Sequence, residues 1–383
     1  VYIASVGRAF PAHYYSQGEL LDALRGAWRG QMFNLDRLER LHQNVLVGGR
    51  YLALPLEEYS RLETWGDSND AWIDVALDVG EAAIRDAAES AGIELNEIDA
   101  LFFATVTGVA TPSLDARLMN RLGLRSDVKR VPIFGLGCVA GAAGIARAAD
   151  YVRAYPESVA VLLSVELCSL TLQREDFSVA NLVSSGLFGD GAAAVVVCGA
   201  EFKTSDNRGD GAVRPPANPV RADDRRGPQI VATRSVFYPD SEDVMGWSIS
   251  ERGFQVVLSA DVPEVVRRFL ARDVDAFLAE YGLSRQDVEH WIAHPGGPRV
   301  LEAIQESLEI SPEALSRTWT SLREVGNISS TSVLLILRDT LSGSEPSEGA
   351  PGWGLLFALG PGFCCELVLL RWPSVGNGPA EER

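Results

Sequence analysis

Apolar runs along the chain alternate with amphipathic stretches, and their spacing predicts an α/β protein. Val1 to Gly7 alternates as a half-buried strand does, and Ser16 to Trp28 repeats apolar positions at helical spacing behind a serine suited to cap it. Asn34 to Leu46 reads as a second helix with Arg37 and Arg40 on one side, three positions apart. Asn69 to Ala91 is a long helix stopped by Gly92; a buried strand at Ala100 to Thr105, a loop at Thr107 to Ser113 and a helix at Leu114 to Leu122 follow. Val131 to Phe134 is a short apolar strand, and Ala142 to Tyr151 is a helix beyond a glycine-rich turn. Strands at Ser158 to Val165 and Ala192 to Val197 flank the turn Leu187 to Gly191.

From Glu201 to Pro228 the composition shifts to Asp, Arg, Gly, Pro and Asn, as in an exposed connector. Beyond it the order of elements repeats. Asp261 to Tyr281 is a long helix, His290 to Ala293 a strand, Pro298 to Leu308 and Ser330 to Leu341 helices, and Gly354 to Leu359 and Glu366 to Leu370 strands. Asn327 stands in the second half where Cys138 stands in the first, and the strands at Ala100 and His290 are separated by nearly the same stretch of chain. The expected domains are therefore an N-terminal half at 1–200, a connector at 201–228, a C-terminal half at 229–372 and a tail at 373–383. Two similar α/β halves would bring two equivalent helix starts together near a pseudo-two-fold axis.

A chain of 383 residues with 46% hydrophobic content can bury a large core, consistent with two halves. The formal charge of -18, with no long basic run, argues against a nucleic-acid partner, which needs clustered Lys and Arg. An anionic substrate would have to be met by a local basic patch. The five cysteines are odd in number and lack CxxC spacing, so neither a disulfide framework nor a zinc site is indicated. No signal-like segment is seen at Val1 to Tyr15 and no uncharged apolar run is long enough to span a membrane, so a soluble, cytoplasmic protein is expected.

Chemistry concentrates at three element ends. Cys138, in Gly135-Leu136-Gly137-Cys138-Val139-Ala140-Gly141, falls where a strand stops and a helix begins, a place where unpaired N–H groups favour a thiolate. Taken alone, the same cysteine also fits a buried structural role. His294 ends a strand in the Pro/Gly-bounded loop His294-Pro295-Gly296-Gly297-Pro298, and Asn327 opens Gly326-Asn327-Ile328-Ser329-Ser330 before an apolar helix, where simple capping is an alternative. Together they make a chemical set: an imidazolium can hold a thiolate ionised, and His with Asn can donate to an oxygen gaining negative charge. Papain-like proteases use the same three residue types in the same order, but their local cysteine signature is absent.

The motifs at Gly137 to Gly141, Leu187 to Gly191, His294 to Pro298, Gly326 to Ser330 and Gly360-Pro361-Gly362 resemble those of type III polyketide synthases, the chalcone synthase-like family, in order and spacing from about Val1 to Trp372. The resemblance implies the thiolase fold, an α/β architecture of two halves in αβαβα layers, a homodimer, and no metal or organic cofactor. It implies that Cys138 takes an acyl group from a starter CoA thioester. His294 would keep Cys138 ionised and, with Asn327, hold the thioester carbonyl of malonyl-CoA as carbon dioxide leaves. Phe188 matches the aromatic residue between CoA tunnel and cavity. The family's second aromatic position falls on Val256, which should widen the passage. Arg37, Arg40, Gly297 and Arg299 match the CoA-binding positions, although a further basic position of that helix falls on Asn44. Thr111, Cys168, Thr171 and Trp247 match cavity positions that vary with product. Phe237 to Trp247 looks like bacterial members that prime with long acyl-CoA and release alkylpyrones or alkylresorcinols. Malonyl- or aryl-primed synthases, a single-condensation β-ketoacyl synthase III fed by acyl-carrier protein, and a Cys-His-Asn hydrolase are the alternatives.

Overall fold

A computed structural model describes residues 1–30, 34–203, 227–343 and 352–373; most of the expected connector and nearly all of the tail lie outside the described residues. In chain order the first half comprises β1 (Tyr2–Ala9), β2 (His13–Ser16), α1 (Gln17–Ala27), α2 (Leu35–Asn44), β3 (Gly49–Leu52), α3 (Trp65–Ala91), β4 (Ile98–Thr105), α4 (Leu114–Leu122), β5 (Lys129–Phe134), α5 (Ala140–Ala154), β6 (Val159–Leu167), α6 (Val179–Leu187) and β7 (Asp190–Cys198). The second comprises β8 (Gln229–Phe237), β9 (Met245–Ser250), β10 (Gly253–Leu258), α7 (Val262–Ala279), β11 (Val288–Ala293), α8 (Pro298–Leu308), α9 (Ser316–Val325), α10 (Ser329–Gly343), β12 (Trp353–Gly360) and β13 (Cys364–Arg371).

Local chemistry sets several boundaries. Ser16 and Glu19 cap α1 reciprocally, and Thr64 with Asp67 does the same for α3, starting it four residues before the apolar pattern does. Gly92 ends α3 in the left-handed region, as the sequence anticipates.

One sheet runs β11-β12-β13-β8-β1-β7-β6-β4-β5. Its two parts are related: the parallel pair β4/β6 corresponds to β11/β12, and the antiparallel pairs β6/β7 and β7/β1 correspond to β12/β13 and β13/β8. The parts join where Tyr2 of β1 pairs with Gln229 of β8, with Ile3 N–H donating to Pro228 O and Ile230 N–H to Val1 O. A central layer of α5 and α10 lies between them, inside an apolar cluster fed by strands of both halves. Helices α3 and α4 cover the outer face of one part, α7 and α8 that of the other, each over its own apolar cluster. This is the expected αβαβα layering. The equivalent helix starts do meet: a Cβ on Gly141 of α5 would lie 2.3 Å from the Ser330 carbonyl oxygen of α10. Among the described residues no helix is long and apolar enough to cross a membrane.

Candidate active site

Cys138 lies in a 3₁₀ turn, Gly137–Val139, directly before α5. Gly137 takes φ 54°, and a Cβ there would meet the Pro361 ring at 2.7 Å, so only glycine lets the turn seat against the end of β12. The cysteine is 8% exposed, and its Sγ lies 3.6 Å from Ser329 Oγ. Burial pushes the thiol up to about 12; Ser329 opposes this, and the charge of Glu166 adds to it. Desolvation thus outweighs the helix start that sequence reasoning credits with favouring a thiolate.

Asn327 opens the other helix start. Its Oδ1 accepts the Ser329 N–H at 2.8 Å, which fixes the amide orientation and leaves Nδ2 as the donor end. Ser329, between Asn327 and the Cys138 sulfur, holds φ 44°, a costly conformation for a residue with a side chain. Reciprocal backbone bonds tie Asn327 to the strap beside it: its N–H donates to Leu187 O, and Gly189 N–H donates to its carbonyl. The strap carries Phe188, bridged to Asn327.

His294 follows β11, and its N–H donates to Phe357 O of β12. Ala293 pairs with Phe357, so His294 stands beside Ala358. Two residues on, Gly360 abuts the backbone of Val139, next to Cys138. The histidine therefore reaches the strand ends where the cysteine turn sits. It is 4% exposed, neither ring nitrogen has a hydrogen-bond partner among the described residues, and burial pulls its pKa down to about 3. A buried imidazole with two uncommitted nitrogens is rare in a purely structural role. Burial by itself favours the neutral thiol and the neutral imidazole over the thiolate–imidazolium pair expected from sequence.

Sequence reading passes over Glu166, which follows Ser164 in the otherwise apolar strand β6. Glu166 is fully buried, accepting from Val106 N at 3.1 Å, Thr107 Oγ1 at 2.9 Å and Ser330 Oγ. It ties the end of β4 to the start of α10, one residue from Ser329, and burial pushes its carboxyl up to about 7. The folded state holds this proton more tightly than the unfolded chain. The stabilisation is therefore fully present below about pH 4.5 and is lost as pH rises through about 7, at most about 3 kcal/mol. Glu166→Gln is expected to remove the dependence. In melting experiments the variant should gain on the parent between pH 4.5 and 7 and stay level above; a pH-independent difference contradicts the assignment.

Phe188, Cys168, Thr171, Trp247 and Val256 line one cavity of about 520 Å³. It adjoins the reactive groups at Phe188, whose backbone bridges to Asn327, and at Cys168, whose thiol feels the charge of Cys138. Cys138, His294 and Asn327 are not among its lining residues. Val256 pairs across the β9/β10 hairpin with Trp247. A large side chain thus stands directly across the hairpin from the small one at position 256. Thr111 is exposed on the loop after β4 and does not line this cavity, so within one chain it does not join the other five.

Arg37 and Arg40 are exposed on α2, and Arg299 is exposed on α8 behind Gly297, the N-cap at φ 140°. Both helices abut the last turn of α6. The His42 ring of α2 packs on Gly186, and a Cβ on Gly297 would lie 3.7 Å from Leu187. Arg40→Glu is expected to raise the apparent KM for CoA thioesters about tenfold, the worth of one charge-assisted contact. N-acetylcysteamine thioesters should be used unchanged; an equal rise for both contradicts a role for Arg40 in holding phosphate.

Two related α/β halves whose helix starts meet at a buried cysteine and an asparagine, with a histidine at the adjoining strand ends, define an acyltransferase of the thiolase fold. The chain belongs to the chalcone and stilbene synthase family: that family's N-terminal domain pattern matches residues 1–201 and its C-terminal domain pattern residues 229–374. It is a type III polyketide synthase. It is 48% identical over 370 residues to a 1,3,6,8-tetrahydroxynaphthalene synthase of Streptomyces peucetius subsp. caesius, covering 97% of this chain and 93% of the relative. It is 31% identical over 376 residues to a 3,5-dihydroxyphenylacetyl-CoA synthase of Streptomyces toyocaensis, covering 97% and 90%. The crystal structure of 1,3,6,8-tetrahydroxynaphthalene synthase from Streptomyces coelicolor A3(2), a bacterial type III polyketide synthase, superposes with TM-score 0.86 at 30% identity, covering 98% of this chain and all of that one.

Proposed function

We propose that this synthase loads an acyl group from a CoA thioester onto Cys138 and extends it with malonyl-CoA, and that its preferred starter is a long-chain acyl-CoA. As the Cys138 sulfur attacks the thioester carbonyl, its proton passes to His294 and on to the departing CoA thiolate. Malonyl-CoA then loses carbon dioxide, and the electrons of the broken bond place charge on its thioester oxygen. His294 and the Asn327 Nδ2 donate to that oxygen. The carbanion attacks the Cys138-bound carbonyl and expels the thiolate. Decarboxylation itself makes the nucleophile, so the cycle needs no metal or organic cofactor.

The observation that carries the starter assignment is the cavity wall formed by α1. Leu20, Leu24 and Trp28 face the cavity along about 12 Å of chain at helical rise. An extended acyl chain of about ten carbons has a similar length, at about 1.3 Å per carbon. The extended chain would then close to an alkylpyrone or alkylresorcinol. The 48% identity to a tetrahydroxynaphthalene synthase supports a second reading, in which malonyl-CoA is also the starter. Mass spectrometry of products from malonyl-CoA, alone and with acyl-CoA of graded length, separates the two. Incorporation of chains of ten or more carbons is expected; an aromatic product from malonyl-CoA alone, with long acyl-CoA unused, overturns the first reading.

The working unit we propose is a homodimer drawing on the cytoplasmic CoA pool. Strand β5 is an end strand of the sheet, with Val131 37% and Phe134 49% exposed, which supports pairing of this edge with a second copy. Sedimentation of a monomer at micromolar concentration would contradict it.

A further inference from the structure

Arg50 sits at the second residue of β3 and is 3% exposed. Its fork holds the end of α6: Nη1 donates to Gly186 O at 2.8 Å and Nη2 to Ser185 O, two carbonyls that the helix leaves unpaired at its C-terminus. Nη1 also donates to Gln17 Oε1, while Gln17 Nε2 donates to Gly186 O at 3.0 Å and to His42 O at 3.3 Å. His42 completes the cluster, with Nε2 3.1 Å from Ser185 Oγ. The first turn of α1, the last turn of α2 and the last turn of α6 are thus joined at one point. The Arg50 stem lies against the strap as well. A Cβ on Gly189 would meet Arg50 Cβ at 3.1 Å, and one on Gly326 would meet Arg50 Cδ at 3.7 Å.

What leaves this point matters for the chemistry. Phe188 follows α6 directly, and the strap Leu187 to Gly189 exchanges two backbone hydrogen bonds with Asn327. We propose that Arg50, supported by Gln17 and His42, is a positioning residue for decarboxylation: by fixing the α6 exit it sets the Asn327 carboxamide and Phe188 relative to the helix that carries Arg37 and Arg40. This rests on the reading that Asn327 holds the malonyl thioester oxygen. The guanidinium stays cationic at neutral pH, because burial pulls its pKa only to about 10 while the nearby Asp190 charge opposes the fall. Its charge and its planar fork both suit helix-end carbonyls, and a lysine keeps the first without the second.

The test compares Arg50→Lys, Gln17→Ala and Asn327→Ala. For each, the melting temperature, Cys138 acylation by acyl-CoA and malonyl-CoA decarboxylation are measured. A displacement of about 1 Å in a catalytic group can cost about a hundredfold in rate. Arg50→Lys is expected to fold and to acylate Cys138 at the parental rate, with decarboxylation kcat at least about tenfold lower and KM for malonyl-CoA within about twofold. Gln17→Ala should show a smaller loss of the same kind, and it carries the test if Arg50→Lys does not fold. Unchanged kcat in the folded variants, or equal losses in acylation and decarboxylation, overturns the proposal. Retained decarboxylation in Asn327→Ala instead overturns the reading of Asn327 beneath it.

Discussion

Cys138→Ala is expected to yield no detectable polyketide and no acyl-enzyme, a loss of at least about a thousandfold, while malonyl-CoA decarboxylation continues at a measurable rate. The asymmetry follows from the geometry. In the proposed mechanism acyl transfer needs the sulfur itself, whereas decarboxylation needs only donors at the malonyl thioester oxygen, the part assigned there to His294 and Asn327 on separate elements. The thiol is 8% exposed beside Ser329 Oγ, and an alanine side chain fits the same space with little strain on the turn. Intact-protein mass spectrometry after incubation with acyl-CoA, beside an assay of released carbon dioxide, reads both halves of the expectation. Acyl transfer at the parental rate would remove Cys138 from the mechanism.

His294→Ala should lower both activities, each by about a hundredfold to a thousandfold, because in the proposed mechanism one imidazole takes the thiol proton and later donates to the developing oxyanion. The resting ionisation sharpens this. Burial pushes the Cys138 thiol up to about 12 and pulls His294 down to about 3, so the thiol keeps its proton until a base takes it as the sulfur attacks, and the proposed base is His294. Iodoacetamide alkylation of Cys138 should therefore slow at least about tenfold at pH 7 in the variant. Its rate should rise with pH as thiolate forms, whereas the parent, with the neutral imidazole as base, should vary less across the neutral range. Identical alkylation profiles for parent and variant would contradict the proton-accepting role.

The fold was legible where a pattern is long and its ends carry their own chemistry. Helix α3 ends at Gly92, α8 begins at Pro298, and the equivalence of the Cys138 and Asn327 turns is borne out by Gly141 packing against Ser330. Elements defined by distant partners were not legible. The hairpin strands β2, β3, β9 and β10 are only four to six residues long, too short for a periodic pattern to stand out, and α9 buries only Thr318, Ser321 and Leu322 fully. Helix α6 is short and rich in serine, yet it presents Phe188.

At the site, sequence reasoning named five residues that line one cavity, and a cysteine and an asparagine whose helix starts meet. It missed the groups that hold them. Ser329 and Ser330 fall in a turn for which simple capping is an alternative, and nothing in the sequence singles out Arg50. Glu166 left a trace, a carboxylate ending a run of buried strand residues, but its role depends on Ser330, far along the chain. The ionisation of Cys138 escaped for a related reason: a helix start is visible in sequence, whereas the depth of burial that outweighs it is not.

The most direct test of the account is to locate the acyl group. Enzyme incubated with a long-chain acyl-CoA, digested and mapped by mass spectrometry, should carry the acyl mass on the peptide containing Cys138. An adduct on Cys168 instead, or unmodified Cys138 in enzyme that still makes product, would contradict it.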